Sequence, residues 1–276
     1  MRLAVFLAGA GVTLLLAACG PGEAPHSAGG PAQMRRLTED QYRAGIADIF
    51  GADIKVAGRF EPDNRKGGLL ALGAAIVTIT PAGFEQYDGM ARTIAAQVLD
   101  EQHYDRLIGC QPAAENAPDE ACTRATVAKY GRLLFRRTLS QAEIGLRVAE
   151  AGAATERLGS FKAGLAHALV RLMDSPDFLF RVETSEPLPG QADARRLTAT
   201  ARATPRLVDG ARAFLADFLQ LADVDALAKD PLVYPVYNQK VLQAAREQTL
   251  RTLTTLLLEE KRDYREIFTS KRTVMT

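Results

Sequence analysis

Thiols and imidazoles are the side chains best able to bond covalently, hold a metal or move a proton near neutral pH, and this chain has three cysteines and three histidines. Their spacing decides what they can do. Cys19 ends the run Leu16-Ala17-Ala18-Cys19, which looks like a bacterial lipobox. Small residues ahead of the cysteine let a signal peptidase reach the backbone, and the thiol then carries the acyl chains. Cys110 and Cys122 bracket the polar stretch PAAENAPDE. In an exported protein the two cysteines left after lipidation are expected to pair, which would stabilise the fold by about 3 kcal/mol. A tetrahedral metal site needs four closely spaced ligands, and only His103 lies near these cysteines, so no metal is assigned. No Cys-x-x-Cys-His run is present to attach haem, and no cofactor is assigned. His167 lies beside an apolar helical stripe without a serine, cysteine or acid at motif spacing, which suits a packed or surface histidine better than a general base. His26 falls in a Gly/Pro-rich stretch and reads as solvated.

Arginine is the other residue type with chemistry to offer, because its planar fork grips carboxylates with two parallel bonds. Arg59 and Arg65 stand in the polar loop 59–68, and Arg136 and Arg137 at a helix end, so these four are the candidate contacts for an anionic partner. For Arg136 and Arg137 the simpler reading is a charge pair that complements the helix dipole. No residue pattern names a reaction.

Those residues sit in a chain whose first 18 residues read as a secretory signal peptide: Arg2, then an uncharged stretch too short to span a bilayer comfortably. An ordinary cleaved signal and a membrane-spanning anchor are the two weaker alternatives. Acyl chains at Cys19 would anchor the protein to a membrane effectively permanently. Gly20 at the next position resembles lipoproteins sent on to the outer membrane, facing the periplasm or the cell surface. Residues 19–34 form a Gly/Pro-rich tether spanning roughly 20 Å. The whole chain carries 34 basic and 33 acidic side chains, and loss of residues 1–18 removes only Arg2, leaving no net charge. No nucleic-acid partner is expected from that balance.

Beyond the tether the periodicity is helical throughout, so the fold class is all-α, a multi-helix bundle or array. Thr38 with Gln41, and Ser140 with Glu143, have capping-box spacing. Thr80-Pro81 opens a helix with Phe84, Tyr87, Ala91, Ile94, Ala95 and Val98 on one face. Later stripes are Phe161, Leu165, Ala168, Leu169, Leu172 and Met173, then Leu207, Ala211, Phe214, Leu215 and Phe218. A long helix from about residue 238 to 260 is expected to face the core with Val241, Leu242, Ala245, Thr249, Leu253, Leu256 and Leu257. The expected organisation is a first helical module over 35–100, a second with the disulfide over 101–183, a polar linker over 184–205, and a partial third module over 206–276.

The order of these elements resembles a group of exported proteins known chiefly from planctomycetes and other Gram-negative bacteria, built from domains of unknown function 1587, 1595 and 1592. Arg35-Arg36-Leu37-Thr38-Glu39-Asp40-Gln41-Tyr42, Asp48-Ile49-Phe50-Gly51 and Phe60-Glu61-Pro62-Asp63 resemble the first of these domains. Cys122, the run from Leu133 to Ser140 and the run from Asp174 to Glu183 resemble the second, and Phe214 to Leu221, Tyr234-Pro235 and Ile267-Phe268 the third. Against the family pattern, the chain lacks Trp and an aromatic segment at the start of the third module, and it stops at Thr276 where relatives continue into further modules, so an internal deletion and a shortened C-terminus are expected. The resemblance implies an exported helical protein of unknown activity. Two functions fit: a binding or scaffold component of a cell-envelope system docking another exported protein, or an accessory subunit of a periplasmic haem-linked oxidoreductase, since some relatives carry c-type haem modules.

Overall fold

The computed structural model describes residues 33–70, 78–183, 206–225 and 227–274; Cys19, the signal, most of the tether and the linker 184–205 lie outside them. Strand β1 (Gln33–Arg36) leads into helix α1 (Glu39–Phe50), α2 (Pro81–Val98), the short α3 (Tyr104–Leu107), α4 (Glu120–Phe135), α5 (Gln141–Leu158), α6 (Phe161–Met173), the one-turn α7 (Pro176–Leu179) and strand β2 (Phe180–Glu183). Then come α8 (Leu207–Phe218), α9 (Leu221–Asp225) and α10 (Gln239–Thr254), which runs on into a wider π turn over Thr255–Glu259. The fold class is all-α, as expected, with one addition: β1 and β2 pair antiparallel, Arg35 opposite Arg181 and Arg36 opposite Phe180. Gln33 and Met34, read as the end of the tether, belong to this ladder.

Both capping boxes form. Thr38 Oγ1 accepts from Gln41 N and Ser140 Oγ from Glu143 N, while each third-position side chain reaches back to the cap amide. Helix α6 is the centre of the body, packing on α2, α4 and α5, with Phe161, Leu165, Ala168, Leu169, Leu172 and Met173 all buried as the stripe predicts. It approaches α5 closely because position 164 is glycine. A methyl there would collide with Thr155 Oγ1 and lie 2.5 Å from the Ala151 carbonyl oxygen. In α2, Phe84 is exposed and Met90 is buried in its stead, so the core stripe begins one turn later than expected. The disulfide joins Cys110 to Cys122, the second of which lies in the first turn of α4.

A second, smaller core forms from Leu215, Leu221, Leu250 and Leu253. Here the expected stripes are only partly right. Leu250 replaces Thr249 on the buried side of α10, and Val241 faces solvent. Of the α8 stripe, Leu215 alone is buried, while Phe214 and Phe218 point outward. Helix α8 packs on α9 and α10 through its leucine edge, and its aromatic edge leaves Phe214 and Phe218 exposed.

Candidate functional site

The four candidate arginines have three different fates. Arg59 is exposed and has no partner among the described residues. Arg65 is a bracket: its Nη1 donates to Gly68 O at 2.9 Å and to Asp217 Oδ1 at 2.8 Å, and Asp217 also takes the amide of Leu70. It fastens the loop 59–68 to the end of α8 and is not free for a partner.

The same loop is held from beneath by a residue that was not singled out in the sequence. Arg36 is 1% exposed, with Nη1 donating to Glu61 Oε2 and Nη2 to Asp63 Oδ1, each at 2.9 Å. Glu61 passes the tie onward, accepting from the amide and hydroxyl of Thr80, which caps α2. A buried guanidinium needs such a pair of carboxylates, since an isolated charge in an apolar interior is prohibitively costly. The Phe-Glu-Pro-Asp segment therefore has a structural reason for its acids.

Arg136 and Arg137 come together beside β2. Arg136 ends α4 in the left-handed region at φ 57°, where its guanidinium donates to the carbonyl oxygens of Asp177 and Phe178 at 3.3–3.5 Å. That is a reach within the second module, from the end of α4 to α7, made from the helix end where the dipole reading places the charge. Arg137 lies between two acids, donating to Glu143 Oε1 at 2.7 Å and Asp177 Oδ1 at 2.8 Å. The Arg137 hydrogen bond, with help from the Ser140 amide, lowers the Glu143 carboxyl to about 2. Burial, and then the charge of Arg181, lowers the pKa of Arg136. These residues line a cleft of about 460 Å³ together with Met34, Phe135, Pro176, Phe180 and Arg181; neither Arg59 nor Arg65 belongs to it.

Two further polar groups lie in the body. His103 is buried and bridges two acids, with Nδ1 at 2.6 Å from Asp100 Oδ1 and Nε2 at 3.1 Å from Asp53 Oδ2, and Arg106 shares Asp53 at 2.6 Å. With both ring nitrogens engaged, the group ties the α2–α3 corner to the end of α1. Asp174 is buried at the end of α6 beside Asp88, which Arg92 holds with two bonds of 2.6 and 2.9 Å. Burial and then the Asp88 charge push Asp174 up to about 7. Its Oδ1 and the hydroxyl of Tyr42 are buried without a hydrogen-bond partner. Tyr42 itself centres an aromatic cluster, 5.2 Å from Phe178 and 5.3 Å from Phe60. His167 is half-buried on α6, and burial lowers its pKa. Among the described residues no group of three or more His, Cys, Asp or Glu is arranged to hold a metal ion.

An exposed aromatic group lies along α8 and the turn at residues 264–268. Phe214 and Phe218 stack at 5.8 Å, and Phe268 meets Phe218 edge-on at 6.5 Å. All three are exposed, as are Tyr264, Leu232 and Val236 elsewhere in residues 206–274. Among the described residues no helix is long and apolar enough to cross a membrane.

Three family models match the chain, each described as a protein of unknown function: DUF1587 over residues 35–100, DUF1595 over 122–183 and DUF1592 over 181–276. No curated protein and no solved structure matches it.

Proposed function

As a member of the family built from these three domains of unknown function, the chain is, we propose, a binding component of the cell envelope, held to the outer membrane by acyl chains on Cys19 and docking a second exported protein through the aromatic edge of α8. The outward pair Phe214 and Phe218 on α8, with Phe268 edge-on to Phe218, carries this reading. Single exposed apolar residues are ordinary, but a contiguous aromatic group on a helix that also has a buried edge is what a partner covers. Aromatic anchors supply much of the binding energy where chains meet, because they remove large apolar areas from water. Support for the anchor is the Leu16-Ala17-Ala18-Cys19 run and the Gly/Pro-rich stretch after it, which together suit a body held near lipid on a short leash.

The test places a photo-reactive phenylalanine at position 218 or, as control, at the equally exposed position 84, in the full chain in its native envelope. One discrete cross-linked exported protein from position 218 and none from position 84 is the expected result. Equal, diffuse labelling from both would refute the docking face. A captured protein that carries c-type haem would identify the chain as an accessory subunit of an oxidoreductase system. In parallel, Cys19→Ser should move the protein from the membrane to the soluble fraction.

A further inference from the structure

We propose that the cleft between the end of α4 and the β1–β2 ladder binds a small organic carboxylate bearing an apolar group. The proposal is independent of the aromatic face on α8. Its basis is a charge imbalance in a concave place. Three guanidinium groups line the cleft against one carboxylate, Asp177, and Arg137 already neutralises that one at 2.8 Å. Arg136 has only carbonyl oxygens to donate to, at the long end of hydrogen bonding, and Arg181 is exposed with no acid partner among the described residues.

The ladder carries Arg181 to this cleft. Its charge disfavours that of Arg136, so an anion seated between the two would relieve a repulsion that the fold itself builds in. Two neighbouring forks suit a planar carboxylate, which accepts paired N–H bonds.

The rest of the lining chooses the remainder of the ligand. Met34, Phe135, Pro176 and Phe180 supply an apolar wall, and Met34 is 55% exposed, leaving its flexible thioether available to cover a ring or a short chain. A volume of about 460 Å³ is in the range of small-molecule sites. An inorganic anion would use the arginines and leave the wall wet.

Titration calorimetry on the full chain with phenylacetate, acetate and inorganic phosphate tests this. Saturable phenylacetate binding is expected, with acetate and phosphate weaker by roughly tenfold or more. Arg181→Gln, at an exposed position, should weaken phenylacetate by about tenfold, and Met34→Ser should remove most of its advantage over acetate. Lys240→Gln removes the same charge from α10 and should change nothing. The proposal fails if phenylacetate does not saturate, if phosphate binds equally well, or if Arg181→Gln and Lys240→Gln behave alike.

Discussion

At the scale of single residues, two charged side chains that burial has trapped set how the protein responds to acid and to mutation. Asp174 sits up near 7 in the folded chain and returns to about 3.9 when unfolded. Between those values the folded state holds a proton that the unfolded state lacks. Its stabilising contribution is therefore complete below about pH 4 and is lost as pH rises through about 7. Asp174→Asn, permanently neutral, should flatten that fall and be the more stable protein at pH 8 by about 1–2 kcal/mol, the full linkage value being reduced because water reaches Asp88. Urea midpoints measured from pH 4 to 8 read this directly, and parallel slopes for the two proteins would contradict it. Arg36→Ala leaves Glu61 and Asp63 facing one another without their cation and should cost about 3–5 kcal/mol. A loss under about 1 kcal/mol in denaturant titration would mean that water already serves those acids.

The secondary elements were legible where their signals are local. Thr38 with Gln41 and Ser140 with Glu143 announce helix starts, because a cap depends on residues three apart, and every residue of the α6 stripe is buried, with Gly164 and Val170 buried as well. What could not be read depends on distant neighbours. The pairing of β1 with β2 joins residues nearly the whole body apart, the burial of Arg36 depends on a loop 25 positions later, and the outward turn of Phe214 depends on which edge of α8 meets α10. The same logic limits the arginine reading. Arg136 and Arg137 read as candidate contacts for an anion, but Arg181, which lines the same cleft, is carried there by the ladder. Element contacts also make sharp predictions. Gly164→Ala should force α5 and α6 apart and cost about 1–3 kcal/mol by thermal unfolding, since the clash is with backbone as well as a side chain. Ser140→Ala should cost about 1 kcal/mol, the worth of a helix cap. An unchanged melting temperature for Gly164→Ala would show that the helices separate without loss.

For the whole molecule, the apolar groups divide into a large core over residues 37–179 and a small one made by α8, α9 and α10. Arg65 with Asp217 and Arg206 with Asp48, each at 2.8 Å, tie the second to the first. Two small ionic ties and a modest core hold in place a helix that keeps half of its apolar stripe outside. The disulfide, by contrast, staples the larger body, and reducing it should lower stability there by about 3 kcal/mol, seen as an earlier urea transition of the helical signal. The layout thus sets a well-packed body with a cationic cleft beside an aromatic edge that is exposed among the described residues.

The docking of that edge is the central claim, and side-chain footprinting tests it most directly. The full chain is labelled with a carbene reagent once after purification and once in the intact envelope, and modification is read at Phe214, Phe218 and Phe268, with Phe84 as the exposed reference. The three α8-side aromatics should be labelled freely in the purified protein and protected several-fold in the envelope, while Phe84 is labelled alike in both. Equal labelling of all four in the envelope would mean that the aromatic edge faces water where the protein works, and the docking account would be wrong.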